Sequence, residues 1–335
     1  MCAPTTQAHH GLENVAPPTT PNGKTVESDS EKKLQAADFG PENYRSSAEF
    51  NKKVMFFRVL AVSAIFTVYW NYSYLDSKVA EFWHFLRVQW WFKHDSFEPL
   101  LASTAFVFYI NVYRMVDSLN SPKILRYRIQ KNQDMKPWKK SRERMYNEMM
   151  WYVGPLLVFD YLLPRRSLPE EPPTLLQIIL SLVATVNLYD IFFFLCHTTV
   201  HKVPYLYRKV HAVHHTHPAV RACDAVRHTA ADGGADVACS ILALNLYGAH
   251  PLARSLHNVV LTYLLTELHA GYDAPWMLHR LAPAGLLGGP PRHDHHHKYG
   301  HLYMQKFGTY LDWLCGFVPR RGVKKAPAGN KAAAE

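Results

Sequence analysis

Between Leu175 and Cys196 the chain runs through a long apolar stretch whose only charged side chain is Asp190. At 1.5 Å per residue, a helix of about 20 residues crosses the ~30 Å hydrocarbon core of a bilayer. Further apolar runs occur at Val54–Tyr72, interrupted by Arg58, and at Pro99–Val116 and Met149–Leu163. A polar stretch, Pro164–Pro173, could turn the third run back on the fourth. Val237–Tyr247 is too short to cross alone, and with Leu252–Leu268, which follows His250-Pro251, it reads as a helical hairpin dipping into the bilayer. These runs predict an all-α fold: a polytopic membrane helical bundle of about four spans plus the hairpin, capped by a cytosolic histidine-rich region.

Composition agrees with lipid. Hydrophobic residues are 48% and aromatics 13% of the 335, and they are gathered in blocks. A formal charge of +10 would suit nucleic acid. The basic residues, however, concentrate in Lys123–Arg144 and in a tail with Arg320, Arg321, Lys324 and Lys325, both flanking apolar segments. That placement marks the cytoplasmic side of a membrane, and no nucleic-acid partner is expected. An even number of crossings then leaves both termini and the histidine region in the cytosol. Residues 1–50, polar and with Pro17, Pro18 and Pro21, read as a disordered cytosolic tail without a signal peptide. Residues 51–148 carry the first membrane helices and the basic loop, 149–318 the catalytic domain, and 319–335 a basic tail. Five cysteines without a CxxC suggest neither a disulfide framework nor a thiolate zinc site.

Sixteen of the 20 histidines lie between His197 and His301. They include His197-x-x-x-His201, His211-x-x-His214-His215 and His293-x-x-His296-His297, with His269 standing apart. Residues three and four apart share a helix face, so these strings present two or three imidazoles in one direction. Two HxxHH strings would arise by chance in roughly one such sequence in several hundred. Imidazole suits iron, zinc, copper or nickel and disfavours calcium and magnesium. His228, His257, His279 and His301 read better as hydrogen-bonded core or surface residues. There is no HExxH, and Glu81/His84 is the one Glu-x-x-His pair, short of a carboxylate-bridged di-iron bundle. A metal transporter would place its ligands inside the spans, whereas these boxes follow the apolar segments. A zinc hydrolase or a non-catalytic lipid-binding protein stays open on motif alone.

The boxes, together with His201–His211, Gly248-Ala-His250-Pro251, His269-Ala-Gly-Tyr-Asp-Ala-Pro-Trp276 and Gly308–Gly316, resemble the fatty acid hydroxylase superfamily of membrane-bound sterol and lipid hydroxylases. The likeness covers roughly residues 150–316 and is greatest to the branch of cholesterol 25-hydroxylases and 4-methylsterol oxidases. It implies metal ligands at His197, His201, His211, His214, His215, His269, His293, His296 and His297. It also implies two iron ions, with zinc possible on isolation, and molecular oxygen as co-substrate. Electrons would come from a cytochrome b5-type donor and its NAD(P)H reductase, since no GxGxxG follows a strand here. The implied setting is the endoplasmic reticulum membrane and the substrate a sterol. The alternative is a sphingolipid or fatty acyl hydroxylase or desaturase on the same scaffold. Thr198 and Phe194 depart from the common Arg and Tyr of the first box, which bears on polarity around the ligands. Asp273, four residues from His269, and Asp190, seven before His197, could orient ligand imidazoles; Asp190 reads equally well as a buried polar residue satisfied by a neighbouring helix. Asp294 and His295 point off the ligand face and read as solvated. Phe192, Phe193, Tyr263 and Trp276 are candidate linings of a substrate slot.

Overall fold

In the computed structural model the described residues are 47–130, parts of 150–162, and 168–319, with residues 95 and 218 excepted. Helices α1 (Ala48–Trp70), α2 (Tyr72–Val88) and α3 (Phe97–Ser118) precede the basic loop. The long α4 (Leu175–Lys202), then α5 (Ala230–Tyr247), α6 (Pro251–Leu268), α7 (Gly289–Tyr299) and α8 (Tyr310–Cys315), follow it. Among the described residues the fold is all-helical, and extended pairing is limited to isolated bridges, Arg128 with Tyr272 and Leu287 with Gly308.

Three described helices, α1, α3 and α4, are long and apolar enough to cross a membrane. They coincide with three of the expected runs. The third expected run, Met149–Leu163, lies largely outside the described residues. Exposed Phe56, Leu60, Ile65 and Phe66 on α1 are the surface a lipid-facing helix must present. Arg58, the charge that interrupts this run, donates from Nε to the Arg280 carbonyl at 2.8 Å, so a solvated guanidinium is not required there.

Local chemistry sets the helix ends. Thr174 and Gln177 form a capping box at the start of α4, and Asp76 of α2 accepts from the Leu175 N–H at 2.6 Å. Three of the four leading backbone donors of α4 are therefore satisfied at positions the sequence itself marks. α5 begins at an N-cap Thr229 and stops at Gly248, whose φ of 71° is a left-handed turn that glycine adopts freely. His250-Pro251 then opens α6, with Pro at the first helical position.

The two arms of the hairpin rest on other helices. α5 packs mainly on α4, and α6 on α3 and α4, with little contact between the two arms. A buried polar side chain of α6 links both arms to the central helix. Buried His257 of α6 bonds Thr185 of α4 at 2.8 Å through Nδ1 and Ser240 of α5 at 3.1 Å through Nε2. His257 is thus the hydrogen-bonded core residue its isolation suggested. Arg254 of α6 pairs with Glu98 of α3 at 3.1 Å. Beneath the histidines lies a core of Phe106, Ile110, Tyr189, Phe193, Leu261 and Leu265, so that α3, α4 and α6 form the rigid base on which the boxes stand.

Candidate metal centre

The three boxes come from different backbone geometries. His197 and His201 end α4, one turn apart, and His293, His296 and His297 sit on α7, which closes at Gly300 in a left-handed cap. The middle box departs from the helical expectation: Tyr207–His211 is a π-helical turn and His214–Thr216 a 3-10 turn. This change of winding rotates His214 away from His211 and His215. His269 is the C-cap of α6.

All nine histidines are brought into two groups. His197, His201, His211, His215 and His296 form one, and His214, His269, His293 and His297 the other, with ligand nitrogens within 4.8 Å of one another. Each HxxHH box is divided between the two groups. The expectation that each would point three imidazoles in one direction is therefore refined: on α7, His293 and His297 share a face and His296 turns to the neighbouring group.

Hydrogen bonding settles the ring tautomers. Nδ1 of His197 faces the Met304 carbonyl at 2.8 Å, and Nδ1 of His211 faces the Asp232 carboxylate at 2.9 Å. Both partners only accept, so both Nδ1 atoms carry the proton and each neutral ring keeps its lone pair on Nε2. Those two Nε2 atoms nevertheless lie 3.1 Å apart. The second group repeats the pattern: Nδ1 of His214 and His269 donate to the carbonyls of Arg227 and Leu265, while their Nε2 atoms meet at 3.4 Å. Nε2 of His293 lies 2.9 Å from that of His269 and 3.0 Å from that of His297. Lone pairs converging at such distances repel unless a cation sits among them. Nε2 of His215 and of His296 are likewise buried without a hydrogen-bond partner. The donor set therefore fits two metal ions, one per group.

Electrostatics favour the same state. Burial, then the neighbouring imidazoles, push His214, His293, His296 and His297 well below the usual histidine range. Burial brings His215 down to about 3. These five rings are neutral at physiological pH, which is what metal ligation requires.

The groups that orient the rings are mostly ones the sequence did not suggest. Asp232 on α5 accepts from His211 and, at 3.1 Å, from His228. Burial alone would raise its carboxyl, but these two imidazoles hold it far below the usual carboxylate range. His228, read as an ordinary core residue, stacks on His214 with ring centroids 4.7 Å apart, and its Nε2 faces the Ala225 carbonyl at 3.0 Å. Burial opposes its charge, yet Asp232 raises it overall. The His228/Asp232 spacing of four residues on a helix start was the available signal; its link to His211, 21 positions away, had none.

Two orienting roles need correcting. Asp190 does not reach an imidazole; it accepts from Gln305 Nε2 and Gly308 N at 2.8 Å and from Phe307 N at 2.9 Å. It thereby holds the segment after Met304, whose carbonyl receives His197. Asp273 is engaged by His279 at 3.1 Å and Arg280 at 2.8 Å, and the orientation of His269 falls to the Leu265 carbonyl within its own helix. Asp294 is buried, not solvated, with Gln130 donating to it at 2.8 Å, and half-buried His295 packs against Tyr299 and Tyr303. Of the candidate linings, Phe193 stacks against His197, Phe192 packs on the core and Tyr263 bonds Glu267. Trp276 is half exposed, packed on Phe57 and Tyr127. In the His269–Trp276 string, Gly271 has φ +73° and a Cβ would lie 2.8 Å from the Val220 carbonyl, so glycine is needed for that close approach.

Membrane-capable helices carrying two clusters of imidazoles, each able to hold a metal ion, define the class: a helical membrane protein built around a histidine-lined site. The chain belongs to the fatty acid hydroxylase family: the model of that family, "Fatty acid hydroxylase", matches residues 182–317. It is 35% identical over 232 residues to a cholesterol 25-hydroxylase-like protein of Danio rerio, covering 66% of this chain and 89% of that one. It is 30% identical over 249 residues to the cholesterol 25-hydroxylase of Homo sapiens, covering 72% and 90%. A cholesterol 25-hydroxylase-like protein of Caenorhabditis elegans is 28% identical over 249 residues, covering 70% and 82%. No solved structure matches the chain. Family membership makes it an oxidoreductase acting on a sterol or other lipid.

Proposed function

We propose that the protein is an oxygen-dependent, non-haem di-iron sterol hydroxylase of the endoplasmic reticulum membrane, with its centre and both termini in the cytosol. The observation that carries this is the pair of histidine groups in which the Nε2 lone pairs of His197 and His211, and of His214 and His269, are turned on one another by acceptors at their Nδ1 atoms. Resemblance to cholesterol 25-hydroxylases supports the sterol, and the family supports iron.

His197, His201, His211, His215 and His296 would hold one ion, and His214, His269, His293 and His297 the other. When bound, the pair supplies the redox chemistry that activates dioxygen. The protein's own contribution is orientation and exclusion of water. Carbonyls of Met304, Arg227, Leu265 and Leu302 and the Asp232 carboxylate fix ring tautomers, and the apolar core around Phe193 and Leu265 keeps the inner side of the site dry. In the net reaction one oxygen atom enters a C–H bond and the other leaves as water, which consumes two electrons and two protons. A cytochrome b5-type donor fed by an NAD(P)H reductase would deliver the electrons singly.

Membranes containing the protein, supplied with isotopic oxygen, NADPH, a b5-type donor and cholesterol, should yield a sterol carrying one labelled oxygen, read by mass spectrometry. Label in an acyl or sphingoid chain with sterols unchanged would replace the sterol assignment and leave the metal centre standing. Orientation is checked separately: glycosylation acceptors inserted near residue 20 and after residue 325 should stay unmodified, and a mobility shift at either site would reverse the topology.

A further inference from the structure

Of the histidines in the two groups, His201 and His215 are half-buried and the others are buried. Both half-buried rings belong to the group that contains His197, His211 and His296. Nε2 of His215 is itself buried, so the part of this ring that reaches solvent is its outer edge. Tyr207, also half-buried, packs against both: its ring centroid lies 5.4 Å from that of His201 and 6.0 Å from that of His215. It opens the π turn whose next two residues, Arg208 and Lys209, are exposed. This edge is where the histidines come nearest to solvent.

The charge around it has one sign. Every Asp and Glu from Asp190 to Asp312 is buried. Among the described residues of that span, the exposed Lys, Arg, Asp and Glu side chains are Lys202, Arg208 and Lys209, which stand on either side of the contact between His201 and Tyr207. Lys202, with Nζ 5.4 Å from the centroid of the Phe317 ring, ends the long apolar helix, where a lysine stem lies along apolar surface and its charge reaches water. Arg208 and Lys209 stand beyond that border, on the turn that carries Tyr207.

A cationic edge steers an anionic partner to itself and fixes how the partner docks. Resting on the reading that electrons arrive singly from outside the chain, we propose that the Tyr207–Lys209 turn is the docking face for an acidic one-electron carrier protein. Arg208 and Lys209 pair with its carboxylates, and Tyr207 lies between the carrier and the rings of His201 and His215. Each docking oxidises the carrier by one electron, and two dockings supply the two electrons that the hydroxylation consumes. With every acidic side chain of the span buried, nothing on this edge repels such a carrier. Anionic lipid headgroups would take the same charge, but they give no account of its place beside the two half-buried ligands.

The test is binding of a purified soluble cytochrome b5-type domain to the full-length protein in phosphatidylcholine nanodiscs, where no anionic lipid competes. Arg208→Glu/Lys209→Glu should weaken Kd at least ~10-fold with metal content unchanged, and should raise KM for the carrier while kcat at saturating carrier is kept. Arg208→Lys/Lys209→Arg should bind as the wild type does, which ties the effect to charge. Added salt should weaken the wild type more than the reversed variant. Equal carrier affinity in the wild type and the reversed variant would overturn the docking face and leave the electron source standing. A reversal that changes binding to phosphatidylserine vesicles and leaves carrier affinity untouched would give the turn to lipid instead. A wild type that neither binds the carrier nor takes its electrons would remove the external carrier itself, and the face with it.

Discussion

Replacing His214 or His296 with alanine should abolish turnover while the chain stays in the membrane, and each variant should keep about one metal ion per chain in place of two. The two residues sample different groups. His296 belongs with His197, His201, His211 and His215, and His214 with His269, His293 and His297. Either substitution removes a ligand that is almost fully buried, and water cannot readily reach the gap to replace it. Loss of an outer partner of a ligand typically costs 10–100-fold, so loss of the ligand itself should exceed ~100-fold in product formation. Metal content by plasma mass spectrometry and product by chromatography check the two halves of this expectation. Normal turnover in both variants would mean that the site is wrongly placed.

The second large effect is expected at Asp232. Asp232→Asn preserves shape but removes the charge that receives Nδ1–H from both His211 and His228. Both imidazoles donate to the same oxygen, Oδ2, so the amide carbonyl can still meet them but only as an uncharged and weaker acceptor. The tautomer of His211 is then held less firmly, and His228 loses the negative charge that balances its proton beside His214. Metal affinity or activity should fall about 10–100-fold, and Asp232→Glu should not restore it, because the longer side chain cannot keep both contacts in a packed interior. Titration with a chelator measures the affinity directly. An Asp232→Asn protein that retains wild-type metal affinity and turnover would assign the carboxylate a purely structural part at the start of α5.

Local spacing was enough to mark the helices, the span-length apolar runs and the eight histidines of the boxes, because periods of three and four and a bilayer's thickness are properties of the chain itself, whereas His269, standing apart, came only with the family resemblance. The strings around the boxes also carried the family. Tertiary closure decided the rest. The division of each HxxHH box between two groups follows from the π and 3-10 winding at Tyr207–Thr216 and from the approach of α7, and neither is written in the spacing. The partners that fix the rings come from far along the chain: Met304 for His197 at a separation of 107 residues, Asp232 for His211 at 21. A carbonyl can accept whatever its side chain is, so the Met304 and Leu265 roles leave no trace in residue identity. Asp190 and Asp273 looked like orienting carboxylates because they stand at helical distance from His197 and His269. Burial instead brought each to the nearest unsatisfied donors, the backbone of the 305–308 segment in one case and Arg280 with His279 in the other. A hydrogen bond is chosen by what is within 3 Å after folding, and sequence proximity determines that only within a turn or two of helix.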